Sequence, residues 1–145
     1  MNVALFGAGI AVLAGFGAAI GIGIAASGGA RAIAVNPGKE KSIRMITFLG
    51  IIMGSACSIY GLLIALIIVP GQETNTGLIG AGIAAIASAG AAVGIGIAAG
   101  GGSLATARQP EQEKSIRMIT FLGIVLAEAC AIYGLLVAFI IIGNG

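Results

Sequence analysis

The sequence predicts an all-α membrane protein whose four transmembrane helices form two tandem helical hairpins. Hydrophobic residues make up 59% of the 145 residues, charged residues only 8%, and the mean hydropathy is +1.14. A soluble domain of this size needs more charge to cover its surface. In addition, a shift of 73 residues aligns positions 21–69 with positions 94–142 without a gap, and 33 of the 49 aligned pairs are identical. Such self-similarity predicts a duplicated unit.

Four runs of the chain carry few or no charges, and each is long enough to cross a hydrocarbon core of about 30 Å as a helix. The first run has no basic residue before Arg31, which indicates a first span rather than a signal peptide. Each repeat holds two runs, so we expect one hairpin over residues 1–71 and a second over residues 72–145, in the same orientation. The runs are Met1–Ala30, Met45–Gln72, Thr74–Ala107 and Met118–Gly145.

One polar loop joins the two runs of each hairpin, and these two loops hold all seven Lys and Arg residues. Positively charged loops stay in the cytoplasm, so the loops Arg31–Arg44 and Arg108–Arg117 are predicted there, with both termini on the opposite side. Pro37 and Pro110 mark the turns, because the residue before a proline is biased away from helix.

The first helix of each hairpin is predicted to be thin and the second thick. Glycines recur on more than one face of the first helices, in spacings such as Gly17 to Gly21 and Gly96 to Gly100 that allow close helix packing in lipid. The second helices carry Phe, Leu and Ile instead. A thin helix followed by a thick one makes a wedge, and wedges of identical subunits close into a ring with cyclic symmetry.

Glu128 is the candidate functional residue, because an ionised carboxylate at the bilayer centre costs about 2.5–3.5 kcal/mol or more. The alternative is a structural acid that joins helices. Glu128 aligns with Ser55 of the first repeat. A protonated Glu is neutral, so one that alternates between lipid and an aqueous site lined by arginine loads and releases a proton. The hydroxyl of Tyr133 is a candidate hydrogen-bond partner of Glu128, either across a neighbouring helix or by leaning along its own helix. Cys57 and Cys130 are interpreted as small buried thiols, without a disulfide or metal site.

The repeat resembles the proteolipid (c or K) subunit of rotary ATPases, V-type or F/A-type, in the duplicated four-helix form. The resemblance rests on the Gly-rich first helices, the loop Ala107-Arg-Gln-Pro-Glu111 and the carboxylate in the following helix. The first loop, Ala34-Val-Asn-Pro-Gly38, is a degenerate copy. One carboxylate per four spans resembles the V-type arrangement.

The resemblance implies that Glu128 is the ion carrier of a closed ring of identical subunits in the membrane, without catalytic residues, metal, cofactor or nucleic acid. The ring would turn against a stator membrane subunit that supplies an arginine, and its polar loops would contact the central stalk subunits. The loop residues implied in stalk contact are Asn36, Pro37, Lys39, Arg108, Gln109, Pro110 and Glu111.

The residues around Glu128 favour the proton over sodium as the transported ion. Alkali cations need several oxygen ligands. Sodium-binding relatives carry a Gln at the position of Ile95 and hydroxyl or amide groups at those of Ala129, Ala56 or Cys57. The hydroxyl groups of Ser55 and Tyr133 are too few to complete the coordination shell of a sodium ion. Sodium coupling remains the alternative, as do a small proton-coupled secondary transporter and a purely structural proteolipid.

Overall fold

The computed structural model describes residues 2–70 and 75–144, and these residues form six α-helices joined by short turns, without a strand. A 3₁₀ turn precedes α3 at Pro37–Lys39 and α6 at Pro110–Gln112. The helices are α1 (Val3–Val12), α2 (Ala14–Val35), α3 (Glu40–Ile68), α4 (Gly77–Ala85), α5 (Ala87–Arg108) and α6 (Glu113–Gly143).

Helices α1 and α2 form one long rod, and α4 and α5 form another. Only Leu13 and Ile86 separate the members of each pair. The N–H of each donates to the carbonyl three residues earlier, at 3.0 Å, in a local 3₁₀ turn. The described part of the chain thus contains four apolar rods of 32 to 34 residues with a mean hydropathy of 2.0 to 2.5. The prediction of an all-α protein with four membrane spans is confirmed.

The thick helices begin earlier than their uncharged runs. Helix α3 begins at Glu40 rather than Met45, and α6 begins at Glu113 rather than Met118. Proline fits the first position of the preceding turn because it has no N–H to satisfy. A Glu in the first helical turn is stabilised by the positive end of the helix dipole. The helices therefore extend into the polar loops.

The two Gly-rich rods approach each other backbone to backbone at several glycine positions. A Cβ atom on Gly96 would overlap the carbonyl oxygen of Gly21, and one on Gly28 would overlap Gly100. On another face of α2, a Cβ atom on Gly29 would overlap Thr47 of α3. Small residues allow this approach of helix backbones in lipid. Glycine on several faces therefore reflects several close neighbours, as the sequence predicts.

The thick helices α3 and α6 flank the Gly-rich rods and close the core with larger side chains. At the middle of the bundle the fully buried residues include Ile46, Cys57 and Ile124, packed with Ala25 and Ile95 of the thin rods. Many other large apolar side chains of α3 and α6 are exposed on the single chain. They are therefore free to face lipid or further subunits.

Both polar loops lie at the same end of the bundle. The side-chain amide of Asn36 donates to the carbonyl oxygen of Ala107 at 3.1 Å, and Lys39 forms an ion pair with Glu113 at 2.9 Å. These contacts join one hairpin to the other, and the parallel orientation of the repeats follows from them. The predicted boundary between residues 71 and 72 lies outside the described residues.

Candidate ion-binding site

The carboxyl group of Glu128 lies between the two hairpins and is held by two side chains of α3. Glu128 is 6% exposed. The hydroxyl of Tyr60 donates to Oε1 at 2.5 Å, and the thiol of Cys57 donates to Oε2 at 3.4 Å. Each carboxyl oxygen therefore has one neutral donor.

The spacing of the donors explains how α3 builds this site. Cys57 and Tyr60 are three residues apart, so both lie on one face of the helix. That face is turned towards α6, where Glu128 lies near the middle of a helix of 31 residues. The carboxyl group comes from the second hairpin and both donors from the first. One hairpin alone would not complete the site.

The donors suit a group that changes its protonation state. Hydrogen bonds to an ionised carboxylate are shorter and stronger than neutral ones, and the Tyr60 contact is short. A tyrosine hydroxyl both donates and accepts, so after protonation the Glu128 carboxyl can donate to it in turn. A thiol is a weaker donor, and Cys57 serves as a minor one. The site can hold the acid in either form.

The tyrosine that reaches Glu128 is Tyr60, and the prediction for Tyr133 is wrong. Tyr133 is 64% exposed and points away from the bundle. It lies five residues after Glu128 on the same helix, too far around the helix to reach the carboxyl group. Tyr60 occupies the same position of the first repeat, 73 residues earlier. The repeat offset was thus a signal for Tyr60, because it places a second identical tyrosine on the facing hairpin.

The prediction that both cysteines are buried is met within the single chain by Cys57 and not by Cys130. Both thiols are free, but Cys130 is exposed on the single chain. Ser55 does not contribute to the carboxyl site, because its hydroxyl donates to the carbonyl oxygen of Ile52 on its own helix, at 2.7 Å. The described residues contain no group of three or more His, Cys, Asp or Glu side chains that could hold a metal ion.

Ile95 is fully buried in the same cluster as Cys57. Its side chain supplies only hydrocarbon, so this part of the core offers no oxygen ligand. Ser58, another nearby hydroxyl, donates to the carbonyl oxygen of Ser55 at 2.7 Å. Of the hydroxyl groups of Ser55, Ser58 and Tyr60, only that of Tyr60 contacts the carboxyl group.

A family model matches both hairpins. The model, described as that of the ATP synthase C subunit, matches residues 6–68 and again residues 79–141. The chain belongs to this family. It is a non-catalytic subunit of the membrane rotor ring of ATP synthase, and it spans the membrane several times. Each match covers one thin rod and one thick helix, and Glu128 lies in the second match.

Bacterial relatives, each an ATP synthase c subunit by name, align with about one hairpin of the chain. The protein from Clostridium beijerinckii is 48% identical over 70 residues, which is 48% of this chain and 99% of the relative. That from Clostridium botulinum is 52% identical over 68 residues, covering 47% and 96%. That from Caldanaerobacter subterraneus is 58% identical over 64 residues, covering 44% and 88%. The chain is therefore a tandem duplication of a unit that these relatives carry once.

The predicted stalk-contact residues lie in the two loops at one end of the hairpins, but they differ in accessibility. Asn36 and Lys39 are partly buried, because they bond Ala107 and Glu113 across the hairpins. Pro110 is also partly buried. The exposed members of the set are Pro37, Arg108, Gln109 and Glu111.

Proposed function

We propose that this protein carries protons, with Glu128 loading and releasing one proton as the ring rotates, coupled to ATP hydrolysis or synthesis. The observation that carries the proposal is a buried carboxyl group between two neutral donors, Tyr60 and Cys57, in the middle of a membrane helix. A charge there is costly, whereas a protonated carboxyl group is neutral and tolerated in lipid.

The two donors define a closed state of the carrier. With its proton bound, the Glu128 side chain stays against Tyr60 while the subunit passes through lipid. A stator membrane subunit with an arginine is the proposed place of release, because a cation stabilises the ionised form of a nearby carboxyl group. Rotation then returns the protonated side chain to its closed position. The proposal requires no cofactor.

The proton is preferred to sodium because the site has few oxygen atoms. A sodium ion takes several oxygen ligands, as hard cations do. Around Glu128 the chain offers the Tyr60 hydroxyl and the Cys57 thiol, whereas Ile95 fills the core with hydrocarbon. A proton needs only the carboxyl oxygen and a partner for its hydrogen bond.

We also propose that the loop end of the bundle faces the cytoplasm and the central stalk subunits. The positive-inside rule supports this orientation, because all seven Lys and Arg residues lie at that end. The exposed side chains of Arg108, Gln109 and Glu111 are the proposed stalk contacts. The termini then lie on the opposite side.

Carbodiimide modification of the purified ring tests the carrier and its ion together. Glu128→Gln is expected to abolish both the modification and ATP-driven proton uptake while the ring still assembles. Glu111→Gln, which changes an exposed loop carboxyl group, is the matched control and should leave the modification intact. The reaction is followed across pH with and without sodium. Protection by millimolar sodium at neutral pH would contradict proton coupling.

A further inference from the structure

The two polar loops differ in the side chains that they expose at the end of the bundle. Positions 35 and 38 of the first loop are exposed, and so are their counterparts 108 and 111 in the second. In a ring whose hairpins all pack in the same way, a position exposed in both repeats is covered by neither neighbour. These positions therefore stay accessible. The first loop has Val35 and Gly38 there, whereas the second has the charged residues Arg108 and Glu111.

The first loop directs its polar side chains at the second hairpin instead. The side-chain amide of Asn36 donates to the carbonyl oxygen of Ala107 at 3.1 Å. The ammonium group of Lys39 pairs with Oε2 of Glu113 at 2.9 Å, and the hydroxyl of Ser42 donates to Oε1 at 2.5 Å. We name these three side chains of the first hairpin the brace. All three are engaged within the chain.

The contacts of the brace lie at the two ends of the second loop. Ala107 is the last residue but one of α5, and Glu113 is the first residue of α6. Between them lie Arg108–Gln112, which we name the second tip. The first hairpin thus fixes the second tip at both ends. A loop that is held in place before it binds loses less conformational freedom on binding, so it binds a partner more tightly.

The ion pair of the brace has no equivalent in the opposite direction. The counterpart of Lys39 is Gln112, which is uncharged, and the counterpart of Glu113 is Glu40. Glu40 pairs with Arg44 on its own helix at 3.1 Å, and both side chains are exposed. The carboxylate of Glu113 is held by the other hairpin, whereas that of Glu40 is held only by its own helix. The two loops are therefore not interchangeable.

We propose that the first loop supports the second, and that only the second tip, once per chain, docks on the central stalk. Arg108 and Glu111 carry opposite charges, so the stalk surface should offer an acidic side chain to the first and a basic one to the second. The proposal rests on the proposed function and deepens its stalk contact. The stalk meets one docking tip for every two hairpins.

Binding of the purified ring to the detached soluble ATPase sector, with its central stalk, measures which loop docks. Arg108→Ala with Glu111→Ala should raise the dissociation constant at least about 5-fold, because it removes both charged contacts. Val35→Ala with Gly38→Ala is the matched control at the equivalent positions of the first loop, and it should leave the constant unchanged. Gly38 tolerates the added methyl group, whose nearest neighbour is the Asn36 side chain at 3.4 Å.

The brace is tested through the second tip. Lys39→Ala should raise the dissociation constant about 2- to 5-fold, which is the range for a partly exposed ion pair, and Lys39→Arg, which keeps the charge, should restore binding. In the background of Arg108→Ala with Glu111→Ala, Lys39→Ala should have no further effect, because the brace acts only through those side chains. Ring assembly and labelling of Glu128 should be the same in all variants.

Three results overturn the proposal. The first is equal weakening by the two pairs of tip substitutions, which would mean that both loops dock. The second is an effect of Lys39→Ala that persists without the Arg108 and Glu111 side chains, which would give Lys39 a role apart from the second tip. The third is unchanged binding in every variant, which also contradicts the proposed stalk contact at this end of the bundle. Labelling of Glu128 is measured separately, so a failure of the proposed proton carrier is recognised independently.

Discussion

Removal of one hydroxyl group isolates the contribution of Tyr60. In Tyr60→Phe the 2.5 Å hydrogen bond to Glu128 is lost, and only the 3.4 Å contact with Cys57 remains. In the proposed closed state Glu128 is protonated, and hydrogen bonds between neutral groups contribute about 0.5–1.5 kcal/mol. Because each 1.4 kcal/mol is about tenfold in an equilibrium constant, the population of the released side chain should rise roughly 2- to 12-fold. Carbodiimide reacts with the released carboxyl group, so the rate at which Glu128 is labelled at one fixed pH should rise by a similar factor.

Tyr133→Phe is the matched control for this measurement. It makes the same chemical change at the equivalent position of the second repeat, where the hydroxyl does not reach Glu128 of its own chain. Its labelling rate should equal that of the unmodified ring. Cys57→Ala should change the rate by only a few fold, because a thiol is a weak donor. Equal rates in Tyr60→Phe and the unmodified ring would refute the closed state, and a faster Tyr133→Phe would reverse the assignment of the two tyrosines.

Two further substitutions test the packing and the loops. Gly96→Ala should destabilise the ring by about 1–3 kcal/mol, since the added methyl group overlaps the backbone of Gly21; Gly15→Ala, where it meets no neighbour within 4 Å, should not. Thermal dissociation in detergent compares the two. Lys39→Ala removes a partly exposed ion pair with Glu113, so it should cost at most about 1 kcal/mol, and the loss should shrink in high salt. A cost that does not depend on salt would contradict an electrostatic role.

Hydropathy and repetition were enough to predict the four spans and to identify Glu128 as the candidate functional residue inside one of them. Apolar runs of this length have few other outcomes, and a lone acid inside one is conspicuous. The partner of Glu128 was harder to predict, because it depends on how the two hairpins are rotated about their axes. Tyr60 and Tyr133 lie in closely similar local sequences. Only the packing of α3 on α6 decides which of them meets the carboxyl group.

The different environments of Cys57 and Cys130 within one chain were hard to predict for the same reason. The repeat places both cysteines at matching positions, and a prediction for one was applied to the other. In a chain of two hairpins, however, only one of the two equivalent faces is covered. Cys57 lies on the covered face and Cys130 on the uncovered one. The difference is a property of the assembly, and local sequence carries no information about it.

The loss of a carboxyl group at Ser55 changes the energetics of the proposed rotor. Each hairpin occupies a sector of the ring, but only every second hairpin has the carboxyl group of Glu128, the proposed proton carrier. For a fixed amount of ATP hydrolysed per turn, the free energy available per proton is therefore twice that of a ring of equal hairpin number with an acid in each. Moving one charge against 100 mV costs about 2.3 kcal/mol. A rotor with fewer carriers can thus pump against a steeper gradient, while it needs a steeper gradient to synthesise ATP. In a ring with Ser55→Glu, every hairpin would have a carboxyl group, and the number of protons carried per hairpin would rise to one.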